Sequence, residues 1–477
     1  MFLQSLKEIC EMDLKAYLPC KKPRRSNRLG VKGKEETQEE TIQQEPLGFF
    51  DTLPLELKFR VLGYLTVEDL SLLTITSKGM RNLVEGYCVL HPVLQKGYIC
   101  RLHSYKGTQP VLPIKSETEA LNTFRKLGLL MKRSTCLYAT RDRLKFLNDV
   151  LTKMMCCNSA HLCDNSSRCI AMKCFGKLLH TVLAGWDDSE CQRAYDAICQ
   201  HTCILKTVKN IVGSKPGTNV KLEHEERLFL RRVFLDSCPS HQDKAFWLSR
   251  ILKSWPLVHQ ARLLFLLYGP VLNEVTNLFQ NCSGCYCKII ADEVLWYELC
   301  ENTPSSSTQS EEHFGELANA LKNLHNYKQE WTEDDIISVI DELTSSPDDW
   351  LAENVAHLLI LCGDSVTSKM LISKAINGRM IELASITTSF CVVCVKNSFS
   401  MSYVINMIQN IILVMDSVKD RQIFFNNVMD MFKELIIDIH EFEDQDDEHG
   451  SDMYYMVSSL VEFTKRLAQM AFKDMLT

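Results

Sequence analysis

The chain has 477 residues, of which 46% are apolar and 24% charged, and its formal net charge is −7. This composition is ordinary for a folded globular protein, and the negative balance excludes a uniformly basic nucleic-acid binder. Glycine and proline make up about 7% of the residues, against ~12% in average proteins. This shortage of turn formers argues against a β-sandwich or barrel and predicts an all-α protein, with about three domains or one long repetitive one.

The N-terminal tail, residues 1–48, opens with Met1–Glu8 (MFLQSLKE), whose charged residues interrupt the apolar stretch that a secretory signal needs. The tail then carries a basic run at 21–34 and an acidic run at 35–45. Neither run has an apolar period, so we expect most of the tail to be disordered. The basic run is typical of a nuclear import signal, although a solvated charged tail is the alternative. The predicted import residues are Lys21, Lys22, Arg24, Arg25 and Arg28.

The 21 cysteines are an odd number, so they cannot all pair within one chain. The sequence contains no run of about 18 uncharged apolar residues, so no membrane span is predicted. We therefore expect a reducing compartment, in which thiols act as small core hydrophobes. With the basic run, this predicts a nuclear protein that is also found in the cytoplasm.

Two C-x-x-C pairs have the spacing of a zinc half-site, Cys282 with Cys285 and Cys391 with Cys394. They lie far apart in the sequence, and the second pair falls inside an apolar helical run that packing explains. A looser cluster without a standard ligand spacing contains His161, Cys163, Cys169 and Cys174. We predict structural thiols, no metal and no cofactor, with a zinc- or redox-sensing module as the alternative.

A three-helix module is predicted at residues 49–86. Leu53 and Pro54 precede its first helix, because proline is tolerated in a first helical turn. Thr66 and Asp69 have the spacing of a capping box for the second helix, and Gly86 is the predicted end of the third. The module has more apolar residues than three short helices can bury, which indicates contact with the rest of the chain or with another protein.

The module resembles an F-box in its Leu-Pro-x-Glu-Leu start and in the apolar and acidic positions that follow. The matching residues are Leu53, Pro54, Glu56, Leu57, Val61, Leu62, Tyr64, Leu65, Asp69, Leu70 and Lys78. The resemblance implies docking to the Skp-type adaptor of an SCF-type ubiquitin ligase and, through it, to cullin and RING subunits. The residues predicted to bind the adaptor are Leu53, Pro54, Leu57, Leu62, Leu65, Leu70 and Met80. Some of them must instead be internal core, and the sequence alone does not sort the two sides.

The remainder of the chain is predicted to be a helical body at 87–437 that binds a protein partner, with a loop at 301–312. An acidic loop at 438–452 and a C-terminal helix at 453–477 follow. Consecutive amphipathic helices favour αα-hairpins stacked into a solenoid-like array. No fixed-period repeat is evident, so an irregular bundle remains the alternative.

No catalytic motif of the common nucleotide-binding, metalloprotease or serine-hydrolase types occurs in the sequence. We interpret Asp187 and Asp188 as the acidic first turn of a helix, and His357 as a packed or surface residue. The expected function is that of a non-catalytic substrate receptor of an SCF-type E3 ligase, which holds an unknown protein substrate. The alternative is a nuclear helical scaffold that binds or protects its partners without ubiquitylating them. Nucleic-acid contact is the weaker expectation, because the basic run contains no aromatic residues for base stacking.

Overall fold

The computed structural model describes residues 47–90, 116–154, 170–269, 307–346, 348–442 and 449–476. All regular elements within these ranges are helical, which confirms the predicted all-α fold. Residues 47–90, which we call the N-terminal module, contain a 3-10 turn at Gly48–Thr52 and three α-helices. These are α1 (Leu55–Leu62), α2 (Val67–Thr76) and α3 (Lys78–Leu90). None of the described helices has the length and apolar composition needed to cross a membrane.

The array that follows contains a further sixteen described helices. Its first half consists of α4 (Glu117–Ser134), α5 (Thr140–Met154), α6 (Ala171–Leu183), α7 (Asp188–Thr202), α8 (Ile204–Val212), α9 (Val220–Leu230) with a π-helical turn at Arg231–Leu235, α10 (His241–Leu252) and α11 (Leu257–Tyr268). Its second half consists of α12 (Ser307–Asn326), α13 (Glu333–Ser345), α14 (Ala352–Cys362), α15 (Asp364–Ile376), α16 (Met380–Lys396), α17 (Met401–Val414), α18 (Val418–Phe442) and α19 (His449–Leu476).

The helices of the array lie in two rows, with α9 leading into the π-helical turn, and most pack against the helix two positions along the chain. The first row runs through α4, α6, the π-helical turn, α10, α12, α14, α16 and α18. The second row runs through α5, α7, α8, α11, α13, α15, α17 and α19. One apolar core extends between the rows from Ala120 to Phe463. This is the arrangement of a solenoid, in which each layer contacts mainly its neighbours.

Local capping signals set several helix starts. The Thr332 side chain accepts a hydrogen bond from Asp335 N at 3.1 Å, while the Asp335 carboxylate accepts one from Thr332 N at 2.9 Å. Asp187 caps α7 in the same way, because its carboxylate accepts from Glu190 N at 2.8 Å. These bonds satisfy amide donors that the first helical turn leaves unpaired. The acidic pair at 187–188 is therefore part of a helix start, as expected.

Four predicted boundaries differ from the structure. Helix α3 continues past Gly86 to Leu90, because a glycine inside a helix costs only about 1 kcal/mol. Residues 307–312 begin α12 instead of belonging to a loop. Helix α18 continues to Phe442 and α19 begins at His449, so the predicted acidic loop at 438–452 is too wide. Glutamate and glutamine are good helix formers, and hydrophilic composition alone does not mark a loop. The tail at 1–46 lies outside the described residues.

Candidate protein-docking surface

The N-terminal module takes its shape from a capping box at the start of α2. Thr66 Oγ1 accepts a hydrogen bond from Asp69 N at 3.2 Å, and Asp69 Oδ2 accepts one from Thr66 N at 3.2 Å. The hydrogen bonds from the Thr66 side chain and backbone hold the pKa of Asp69 below its usual range. The carboxylate is therefore charged at the positive end of the helix dipole, where it stabilises the turn between α1 and α2.

The interior of the module is a small apolar core. Leu62 and Leu70 are 1% and 0% exposed, respectively. Phe59 and Tyr87 pack ring to ring with centroids 5.7 Å apart. The buried members of this core are Leu62, Val67, Leu70, Leu83, Val84, Tyr87 and, from α4 of the array, Leu130.

The outer side of the module carries two exposed apolar stripes, one on each of its first two helices. Leu57, Val61 and Tyr64 are spaced by four and three residues, so they follow one face of α1 and its C-terminal turn. Leu72 and Ile75 follow one face of α2 and are 53% and 56% exposed, while Tyr64 is 80% exposed. We call Leu57, Val61, Tyr64, Leu72 and Ile75 the module's apolar face. Large apolar side chains exposed in stripes along helix faces are typical of protein-protein contact sites.

The predicted docking residues divide between the two sides of the module. Pro54 and Leu57 are exposed, and Leu53 is half-buried. Leu65 and Met80 are half-buried and pack against the module core. Leu62 and Leu70 are core residues, and their assignment to the docking surface is corrected on that ground.

Five further apolar residues of the module are exposed and were not predicted to bind the adaptor, namely Leu55, Val61, Tyr64, Leu72 and Ile75. Two of these residues, Leu72 and Ile75, could have been predicted to be exposed from their positions relative to Leu70. Leu72 and Ile75 lie about 200° and 140° around the helix from Leu70 at 100° per residue. Once Leu70 faces the core, both of these residues must face outward.

The module is attached to the array through α2 and α4. Lys126 of α4 forms an ion pair with Glu68 of α2 at 3.0 Å. Arg133 Nη1 donates a hydrogen bond to Ser71 Oγ at 2.9 Å. Leu130 lies between these polar contacts and is buried in the module core. Because α2 packs on α4 and α4 packs on α6, the module continues the first row of the array.

The C-x-x-C pair at Cys391 and Cys394 lies in α16, where both thiols are fully buried. Burial raises the pKa of Cys391 well above its usual range and that of Cys394 to about 12. Both side chains are therefore protonated and packed as small hydrophobes. Within the described ranges, no group of three or more side chains is arranged to hold a metal ion. The pair at Cys282 and Cys285 lies outside those ranges, as do His161, Cys163 and Cys169; Cys174 is a buried residue of α6.

His357 is buried in α14, with its ring 6.5 Å from that of Phe314. Burial, and then the positive charge of Lys396, lower its pKa to about 4. Asn397 Nδ2 lies 2.6 Å from His357 Nε2. The imidazole is therefore neutral at physiological pH and belongs to the packing between α14 and the end of α16.

The described chain thus combines a three-helix module that has an exposed apolar face with a two-row array of helices, which is the architecture of a helical-repeat protein with an added N-terminal module. The family model described as "FBXO47, ARM repeats" matches residues 201–446. The human F-box only protein 47 is 34% identical over 428 residues, which cover 88% of this chain and 88% of the human protein. The mouse F-box only protein 47 is 33% identical over 441 residues, which cover 90% of this chain and 91% of the mouse protein. No solved structure matches the chain. The chain belongs to the F-box only protein 47 family.

Proposed function

We propose that this chain is the non-catalytic substrate-recognition subunit of an SCF-type E3 ubiquitin ligase. In this role the N-terminal module binds the Skp-type adaptor, and the array holds a protein substrate. Cullin and RING subunits join through the adaptor and bring the ubiquitin-charged conjugating enzyme. The chain itself contributes proximity, which raises the effective concentration of the substrate lysine at the thioester.

The observation that carries the proposal is the module's apolar face. Leu72 and Ile75 are more than half exposed, although Leu70 on the same helix is fully buried. An isolated chain gains nothing by exposing this many large apolar side chains, whereas a partner that covers them removes apolar surface from water. The membership of an F-box family supports an adaptor of the Skp type as that partner.

The array supports the second half of the proposal. It extends from Glu117 to Leu476 as two rows of helices around one core. Stacked helical repeats present extended surfaces that suit the capture of other proteins. The contacts between α2 and α4 hold the adaptor-binding module on the first helix of the array.

The test is co-purification of the Skp-type adaptor with the full chain and with a Leu72→Asp, Ile75→Asp variant. We expect the variant to lose the adaptor while its helical circular dichroism and unfolding midpoint stay unchanged, because both side chains lie outside the core. Leu413→Asp is the matched control, since Leu413 is an exposed apolar residue of α17 outside the module. Adaptor binding that survives in the double variant would overturn the assignment of this face.

Ubiquitylation separates a substrate receptor from a scaffold that only binds or protects its partners. Partners captured by the chain should be ubiquitylated in a reconstituted ligase and should have shorter half-lives in cells that contain the chain. The Leu72→Asp, Ile75→Asp variant should still bind those partners and should lengthen their half-lives. Partners whose half-lives do not depend on the module's apolar face would favour the scaffold.

We also propose that the chain works in the nucleus. The support is the basic run with Lys22, Arg24 and Arg25, which lies outside the described residues. Changing these three residues to alanine in a tagged full chain should exclude it from the nucleus. A nuclear signal that persists in this variant would remove the basis of the proposal.

A further inference from the structure

The last helix of the array, α19, has an inner and an outer side that are both apolar. Its inner side packs on α16, α17 and α18 through Met456, Ser459 and Phe463, all of which are buried. Its outer side carries Tyr454 and Val461, which are 67% and 58% exposed. A helix at the edge of an array normally turns a polar face outward. The outer side of α19 therefore has the character of a contact surface.

The outer residues of α19 follow a heptad spacing. Their separations are three, four, three and four residues, in the order Tyr454, Val457, Val461, Thr464 and Ala468, and all five are exposed. We call these five residues the outer seam. This spacing keeps side chains in line along a helix that pairs with another helix in a left-handed coiled coil. A surface depression of about 370 Å³ lies on this side, lined by Met453, Tyr454, Val457, Ser458, Val461 and Glu462. A depression between seam residues is what receives a side chain of the facing helix.

The two ends of the array differ in how they are closed. At the N-terminal end, α2 of the module covers α4 and buries Leu130. Among the described helices of the second row, α13, α15 and α17 each lie between two row neighbours, whereas α19 packs on α17 alone in that row. One more helix placed against the outer seam would complete the row in the way that every interior helix is completed.

We propose that this helix is α19 of a second copy of the chain, packed antiparallel across a two-fold axis. The size of the seam residues decreases along the helix, from Tyr454 and Val457 to Thr464 and Ala468. An antiparallel pair sets large residues against small ones, with Val457 opposite Ala468 and Val461 opposite Thr464. A parallel pair would instead place Tyr454 against Tyr454 and leave a gap at Ala468. A seam that complements its own reverse fits an isologous dimer, in which the same surface serves both copies.

The charges beside the seam agree with this direction. Glu462 and Lys465 flank Val461 and Thr464, and within one helix they lie 3.3 Å apart. In the antiparallel pair, Lys465 of each copy comes within about one turn of Glu462 of the other copy. In a parallel pair, the two copies of Lys465 lie on opposite flanks of the seam, so Lys465 of one copy does not approach Glu462 of the other.

Sedimentation equilibrium of the full chain tests the proposal. We expect a monomer-dimer equilibrium for the natural sequence and a dissociation constant at least about a hundredfold higher for Val457→Glu, Val461→Glu, since each copy then places two carboxylates in the contact. The matched control is Leu413→Glu, Val418→Glu, which places the same charges on exposed apolar residues outside the outer seam. A full chain that stays monomeric over the whole concentration range would overturn the proposal. A dimer that the seam variant leaves intact would overturn it as well.

A distance measurement distinguishes the antiparallel from the parallel arrangement of the two α19 helices. A spin label introduced as a non-natural amino acid at position 468 avoids the 21 cysteines of the chain. With Val457 opposite Ala468, the two labelled backbones lie about 17 Å apart along the helix axis in addition to the usual helix separation of about 9 Å. A parallel pair keeps the same two positions about 9 Å apart. A short distance would exclude the antiparallel arrangement.

Discussion

Arg133 of α4 donates a hydrogen bond to the hydroxyl oxygen of Ser71 in α2 at 2.9 Å, across 62 positions of the sequence. Leu130, one turn earlier on α4, is buried in the module core. Side-chain contacts therefore hold the module on the array, independently of the chain that connects them. We predict that cleavage at a protease site inserted within 91–115 leaves the two fragments associated in size-exclusion chromatography.

The same cleaved protein should separate when Leu130 is changed to Asp, because a carboxylate then enters an apolar core that α4 completes. Leu137→Asp is the control, since Leu137 follows the same helix and is exposed. Cleaved fragments that separate without any substitution would contradict the attachment described here.

Gly176 of α6 permits a close approach between α6 and the π-helical turn. A Cβ atom at this position would lie 2.2 Å from the carbonyl oxygen of Arg232 in the π-helical turn. Gly176→Ala should therefore lower the free energy of unfolding by about 3 kcal/mol, since backbone must move to admit the methyl group. Urea denaturation followed by circular dichroism measures the change.

Gly315 of α12 is the matched control for this prediction. A Cβ atom there meets no other atom within 4 Å, and alanine is the better helix former. Gly315→Ala should raise the free energy of unfolding by about 0.5–1 kcal/mol. Equal effects at the two positions would show that the contact of Gly176 with the π-helical turn is not the cause.

Trp331 and Ser249 form a buried polar contact between α10 and the start of α13. The Trp331 indole donates from Nε1 to Ser249 Oγ at 2.9 Å, and Ser249 donates to Glu330 Oε2 at 2.5 Å. Ser249→Ala should cost about 1–3 kcal/mol of unfolding free energy, because the buried indole N–H loses its acceptor. In a Trp331→Phe background the same change should cost measurably less. A double-mutant cycle with no coupling would contradict this contact.

Asp341 of α13 links to the next layer through Lys374 and Arg379. Lys374 Nζ donates to Asp341 Oδ1 at 2.7 Å, and Arg379 donates to Asp341 Oδ2. Burial alone would raise the pKa of Asp341, but the hydrogen bonds from Lys374 and Arg379 outweigh it and lower the pKa. A carboxyl whose pKa is lower in the folded chain stabilises it above the unfolded pKa of about 3.9. This contribution is lost as pH falls further through the folded value.

Asp341→Asn should therefore cost about 1–3 kcal/mol of unfolding free energy at pH 7, and the gap from the natural sequence should narrow below about pH 4. Urea unfolding at a series of pH values measures both effects. Asp416→Asn, which removes a charge from an exposed aspartate, is the matched control. A gap that stays constant down to acid pH would show that the charge of Asp341 is not responsible.

Structural features that depend on neighbouring residues were predicted from the sequence better than features that depend on residues far away in the chain. The capping box of Thr66 and Asp69 lies within four residues, so its chemistry is complete in the sequence that forms it. The side of α2 that faces the core is not set locally, because the burial of Leu70 depends on α3 and on Leu130 of α4. That neighbour is 60 residues away, and no pattern in the module identifies it. The sequence therefore assigned Leu62 and Leu70 to the docking side, although both lie in the core.

The two-row order of the array has a consequence for synthesis on the ribosome. Because most helices pack on the helix two positions earlier, each new hairpin finds its partner already outside the exit tunnel. The module is translated first, and it completes its core only when Leu130 of α4 emerges. A nascent chain halted before that point leaves Leu70 and its neighbours incompletely covered. Chaperones that bind apolar segments should therefore engage a nascent chain that is halted before Leu130.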